Sequence, residues 1–124
     1  MTNPPLKEPA MTEETTPGTT TISPEVLVAI ARLEALKVPG VHALAPVPGG
    51  VNRLFRRGAD EGVQIEIADG VVDADLYVVL EGNVNLRRVS REIQKAVARA
   101  ISEMVGMTVG HINVHIEDIH YPEG

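Results

Sequence analysis

Two residues, Asp69-Gly70, limit what this chain can fold into more than any others. They sit between two alternating runs and supply a type I′ turn, whose twist matches that of paired strands. Val63, Ile65 and Ile67 alternate with Gln64 and Glu66 before the turn, and Val72 to Leu80 follows it. A two-residue loop fixes the register. Ile67 must oppose Val72, Glu66 oppose Asp73, Ile65 oppose Ala74, Gln64 oppose Asp75 and Val63 oppose Leu76. In that register apolar residues gather on one face of the ribbon and polar ones on the other, so pattern and turn agree. A lone hairpin is marginal in water, and its apolar face needs a cover.

The cover is encoded on either side. Ser23-Pro24-Glu25 predicts a helix start: an N-cap hydroxyl, Pro at the first helical position and an acid in the first turn. Val26, Ile30 and Leu33 recur at helical spacing, Leu27 and Ala31 widen the stripe, and the helix stops before Pro39-Gly40. A second helix covers about residues 86–105, capped by Asn85 and ended by Gly106. Its predicted buried stripe is Leu86, Val89, Ile93, Val97, Ala100, Ile101 and Met104. Val109 to Ile119 reads as a last strand, with Ile112, Val114 and Ile116 on one face and His111, Asn113, His115 and Glu117 on the other.

Helix, hairpin, helix, strand, with every strand half polar, predicts an α+β two-layer sandwich. The sheet is mostly antiparallel, with the two main helices on one face. Thr21-Ile22 can add a short strand, and Val41 to Ala45 another. Pro46 to Gly50 reads as a loop, and Val51 to Arg57 as one or two helical turns with Leu54 and Phe55 inward and Arg53, Arg56 and Arg57 outward. This ambiguous connection leaves the strand order open. Residues 1–20 read as a disordered Pro/Thr-rich tail, 21–121 as a single domain and 122–124 as its end.

Composition narrows the function. The chain of 124 residues has no Cys, which excludes a disulfide framework, a thiolate nucleophile and any Cys-ligated zinc or iron–sulfur centre. One Phe and two Tyr count against a base-stacking platform. Seventeen acids against eleven Lys and Arg give a net charge of −6, which disfavours nucleic acid without forbidding a local basic patch. The longest apolar run, Leu76 to Leu80, is far below the roughly 18–20 residues of a membrane span. With no signal-peptide order at the N-terminus and no lipidation motif, the expected location is cytoplasmic, at the inner face of the membrane only through a partner.

Four His invite a metal reading, which the spacing resists. His111 and His115 are four residues apart on one strand face, about 13 Å, too far for one ion. His115 and Glu117 are second neighbours on the same face. No metal site within one subunit and no cofactor is therefore expected; a site shared across an oligomer is the alternative. Glu66, Asp73, Asp75, Tyr77, His115 and Glu117 form an acidic, polar sheet face with no pocket and no recognisable nucleophile, so no enzyme is expected. Glu66 opposite Asp73 is a like-charge pair that a cationic partner or a divalent ion would relieve. The second helix carries the opposite sign: Arg87, Arg88, Arg91, Lys95 and Arg99, with 87, 91, 95 and 99 in an unbroken i,i+4 row. If the helices cover one side of the sheet, the two charged faces point apart, and subunits can stack head-to-tail.

The chain from Ile22 to about Tyr121 resembles the alkaline shock protein family of bacterial envelope-stress proteins. The entry Ile22-Ser23-Pro24-Glu25-Val26 is similar to that family's opening, and Val38-Pro39-Gly40-Val41 to the Gly-Val after its first helix. Gly62 to Ile67 with Val72 to Leu80 looks like its hairpin; Ile93-Gln94, Val97 and Met104, then Ile112-Asn113-Val114-His115-Ile116, resemble its last helix and strand. The ordered set over a hundred residues is specific where no single piece is. The resemblance implies a non-enzymatic bacterial protein of cell-envelope homeostasis and alkaline or general stress. It also implies self-association and proximity to the membrane through a small membrane-anchored partner. It supplies no catalytic residues. The Pro/Thr-rich acidic tail, the Pro-rich 46–50 loop and the arginines at 53, 56 and 57 depart from the family pattern. The rival reading is a KH-like RNA-binding domain using the basic helix face, but no G-x-x-G phosphate clamp occurs in the chain.

Overall fold

The structure, a computed structural model, describes residues 17–49 and 61–122. In chain order the elements are α1 (Pro24–Lys37), β1 (Val41–Leu44), β2 (Val63–Ala68), β3 (Val71–Glu81), α2 (Leu86–Ala100) and β4 (Thr108–His120). The end of α2 runs on as a π-helical segment, Ile101–Val105, closed by Gly106 at φ +78°. The expected tail through residue 16 and the helical turns at 51–57 lie outside the described residues.

The hairpin forms as its turn requires. Asp69 and Gly70 adopt φ +53° and +76°, and β2 pairs antiparallel with β3 in the register from Val63 opposite Leu76 to Ile67 opposite Val72. The even positions of β3, Val72, Ala74, Leu76, Val78 and Leu80, are all fully buried. Its odd positions face the other way.

β3 organises the whole sheet. β4 pairs with it in parallel from Val71 to Glu81, and a parallel neighbour requires a crossover, here α2. β2 and β1 divide the opposite edge of β3 between them, β2 along 71–76 and β1 along 78–80, both antiparallel. Tyr77 is the seam. Its carbonyl accepts the Ala45 N–H at 2.8 Å and its own N–H donates to the Gly62 carbonyl at 2.9 Å. Two of three ladders are antiparallel, as expected, but the longest is parallel. The strand order that the sequence leaves open is set by this seam.

Both helices pack on the even face and share one core. α1 contributes Leu27, Val28, Ala31 and Ala35, and α2 contributes Val89, Ile93 and Val97 with Ile101 beyond it. The α1 stripe differs from the predicted one. Val26 and Leu33 are 44% and 54% exposed, because α1 is apolar on more than one side and periodicity alone cannot choose the inward one. At the ends of α2, Leu86 is 37% and Met104 68% exposed; the π-helical segment changes the phase of the last turn and leaves Met104 outside. Ser23 starts α1 without a side-chain hydrogen bond, whereas the Asn85 side chain accepts the Arg88 N–H at 3.0 Å. Thr21-Ile22 forms no strand.

The seam predicts an unequal pair of glycine substitutions. Gly62 holds φ +81°, and a Cβ there would lie 2.6 Å from the Ala45 carbonyl oxygen and 2.9 Å from Leu44 Cβ. Gly70 holds a similar φ in open space. Gly70→Ala should cost only the backbone penalty of roughly 1–2 kcal/mol. Gly62→Ala should add overpacking of about 1–3 kcal/mol to that cost. Urea unfolding of the two variants measures the difference, and equal costs would show that the seam yields freely.

Candidate functional site

The sheet face turned away from the helices carries Asp73, Asp75, Tyr77, Val79 and Glu81 from β3. β4 lays its own polar residues beside them: Asn113 opposite Asp75, His115 opposite Tyr77, Asp118 opposite Val79 and His120 opposite Glu81. Strict alternation does not produce that row. Ile116 pairs with Val78 while Asp118 pairs with Val79, so Glu117 is the extra residue of a bulge. The bulge shifts the phase by one and brings His120 onto the open face. Glu117, expected in the row beside His115, has no ladder partner, and Ile116, expected to be apolar and inward, is 37% exposed.

Three of the open-face carboxylates have histidine neighbours. Asp73 Oδ1 accepts the His111 backbone N–H at 2.7 Å, where a second irregularity interrupts the ladder, and His111 Nδ1 stands 3.4 Å from the same oxygen. Gly110 leaves room for this: a Cβ there would strike Asp73 Oδ1. Asp75 Oδ1 accepts from Asn113 Nδ2 at 3.2 Å and lies 2.9 Å from His115 Nε2. The Tyr77 ring stacks on His115 with centroids 4.5 Å apart.

At the far end of the sheet, Glu81 lies between two histidines from flanking strands. His42 Nδ1 is 3.2 Å from Glu81 Oε2, His120 Nδ1 is 3.2 Å from Oε1, and the two imidazoles stack at 3.7 Å with 8° between their planes. The hydrogen bond with His120, seconded by His42, holds the Glu81 carboxyl below its ordinary value, against the opposing effect of desolvation. Thus all four histidines of the chain stand against a carboxylate. Sequence reading misses the cluster at Glu81, because it depends on β1 and β4 flanking β3 and on a bulge that no pattern announces.

The basic residues sit on the opposite side of the molecule. Arg87, Arg88, Arg91, Lys95 and Arg99 are all exposed, and Arg88 forms a 3.2 Å ion pair with Glu92. Arg91 and Lys95, each two residues from buried Ile93, lie about 160° around the helix axis from it. The row 87, 91, 95 and 99 therefore lies on the outer side of α2, with Lys95 also bordering a shallow depression that it shares with Val109, Gly110 and Ile112 of β4.

The residues grouped in sequence as one acidic face play unequal parts. Asp73 ties β3 to the interrupted backbone of β4, while Glu66, exposed and opposite Asp73, has no hydrogen-bond partner among the described residues. Asp73→Ala should destabilise the fold by about 1 kcal/mol, with less loss for Asp73→Asn. Glu66→Gln should be neutral within about 0.5 kcal/mol or slightly stabilising, since it removes a like-charge pair. Denaturant midpoints of the three variants test this ranking, which equal effects at both positions would contradict.

Comparison with known proteins agrees with the resemblance read from the residues. The alkaline shock protein family model, described by a cell envelope-related function, matches residues 12–121. The chain is 29% identical over 111 residues to YqhY of Bacillus subtilis (strain 168), covering 88% of this chain and 82% of that protein. It is 34% identical over 103 residues to Spy1535 of Streptococcus pyogenes serotype M6, covering 82% of this chain and 79% of that protein. Among solved structures it is similar to a MamM CTD, with a TM-score of 0.48 and 16% identity over 76% of this chain and 94% of that one. The chain belongs to the alkaline shock protein family, whose function is related to the cell envelope.

Proposed function

We propose that this chain is a non-enzymatic scaffold or interaction protein of bacterial cell-envelope homeostasis and of the alkaline or general stress response, and that it assembles with copies of itself. The observation that carries this reading is the opposition of two charged faces across a two-layer domain. The basic row lies on the outer side of α2, with Lys95 at its β4 flank, and the carboxylate face points away from α2. Faces of opposite sign on opposite sides of one subunit are complementary head-to-tail, and heterologous contacts of that kind extend into rings or filaments.

The polar face supports a binding role over a catalytic one. Asp73 and Asp75 accept hydrogen bonds from β4 groups on an open surface, which holds them in place and keeps them wet. No helix among the described residues is long and apolar enough to cross a membrane. A small membrane-anchored partner protein, meeting either charged face, is the route by which such a scaffold reaches the inner side of the envelope.

Light scattering coupled to size exclusion tests the proposal at about 50 mM and about 500 mM salt, where screening lengths differ severalfold. Assembly at low salt that falls apart at high salt, and in an Arg91→Glu/Lys95→Glu variant, is the expected result. A monomer under both conditions overturns self-association. Assembly untouched by salt and by the double substitution overturns the charged faces as its cause.

A further inference from the structure

Away from the basic row, the three side chains at the end of the sheet point to a ligand of their own. His42 comes from β1, Glu81 from β3 and His120 from β4, three neighbouring strands, so the two imidazoles reach over the central strand from both sides to one carboxylate. We propose that His42, Glu81 and His120 form a binding site for a divalent transition-metal cation of the zinc, nickel or cobalt class.

Geometry is the first support. One ligand atom from each residue lies within 4.8 Å of the others, and each imidazole Nδ1 stands 3.2 Å from a Glu81 oxygen. An ion with bonds of about 2.0–2.2 Å to nitrogen and oxygen holds its ligand atoms roughly 3.0–3.5 Å apart. Closing the site therefore takes a turn of the two rings out of their stack. The side chains have room for that movement, being 39%, 34% and 42% exposed for His42, Glu81 and His120.

The backbone supplies the second support. His42 is the extra residue of an irregularity in β1, between Val41 opposite Leu80 and Ala43 opposite Val79. His120 reaches the open face only because of the bulge at Glu117 in β4. Two interruptions in two different strands, both converging on Glu81, are what bulges do where a side chain must be re-aimed. His120 is also held from behind: its carbonyl accepts the Gly82 N–H at 2.9 Å, and the Tyr121 ring lies against Gly82 where a Cβ would strike it.

The donor set then selects the ion. Two imidazole nitrogens and one carboxylate suit zinc, nickel or cobalt, whereas magnesium and calcium prefer oxygen-rich shells. Three protein ligands leave coordination positions for water or for a group from another molecule. In the hydrogen-bonded cluster a proton bridges each Nδ1 to the carboxylate where that nitrogen is the donor. A bound cation takes the place of the proton at Nδ1, which a neutral ring keeps by moving it to Nε2, so the ion competes with protons for the ring nitrogens and binding weakens as pH falls.

Isothermal titration of the full chain with zinc, and separately with nickel, at neutral and at mildly acidic pH tests the proposal. One ion per chain, bound more weakly at the acidic pH, is the expected result. His42→Gln and His120→Gln should each weaken binding at least tenfold, while His115→Gln, on the same face but outside the cluster, should leave it unchanged. Glu81→Gln keeps a hydrogen-bonding group of the same size; with an unchanged metal-free melting curve, it should lose affinity and any zinc-induced rise in melting temperature. No saturable binding overturns the site, as does an ion that still binds when His42 and His120 are both replaced. Either result would leave the cluster as a hydrogen-bonded tie between three strands.

Discussion

β3 is the constraint on which everything else depends. It has two edges and two faces, and all four are in use. One edge pairs with β4 along its whole length, and the other is shared by β2 and β1 with Tyr77 between them. The even face, fully buried from Val72 to Leu80, anchors both helices; the odd face holds the carboxylates. Because side chains alternate strictly along it, a slip of one residue would put Asp73 and Asp75 into the core and Val72 and Ala74 into water. Burying two carboxylates without cationic partners is costly enough that the register has no near competitor.

Much of this was legible because local chemistry and burial pointed the same way. Asp69-Gly70 set the hairpin, Asn85 and Gly106 bounded the second helix, and each rested on backbone geometry that few residues satisfy. α1 was legible in extent but not in orientation. It is apolar on several sides, so Val26 and Leu33 competed with Val28 and Ala35 for the core, and only packing against the sheet decided. The strand order was not legible, since a parallel partner separated by a helix leaves no mark in local pattern.

The site shows the same division. The basic row on α2 was readable because helical spacing fixes a face regardless of tertiary context. The acidic face was readable for as long as alternation held. It failed at Glu117, where the bulge changed the phase, and the failure propagated to His120. A bulge depends on how two strands settle against one another, not on the residue types within one of them. His42 and Glu81 are 39 residues apart, as are Glu81 and His120. Their meeting therefore needed both the strand order and the bulges.

The histidines also change how the open face should be regarded. Taken as a list of residues it is acidic, a natural counterpart to the basic row. In the structure Asp73, Asp75 and Glu81 each have a histidine within 3.4 Å, so the net charge of the face depends on how many of those imidazoles carry protons. Glu66, Glu117 and Asp118, which have no such neighbour among the described residues, supply the part of its negative charge that no imidazole offsets. Charge-driven contact with another copy would rest chiefly on those three, whereas the cluster at Glu81 is built for something smaller. A scaffold surface and a cation site can therefore share one sheet face, because different residues carry them: Glu66 lies beyond the Asp75, Tyr77 and His115 row from Glu81, while Glu117 and Asp118 border the cluster without belonging to it.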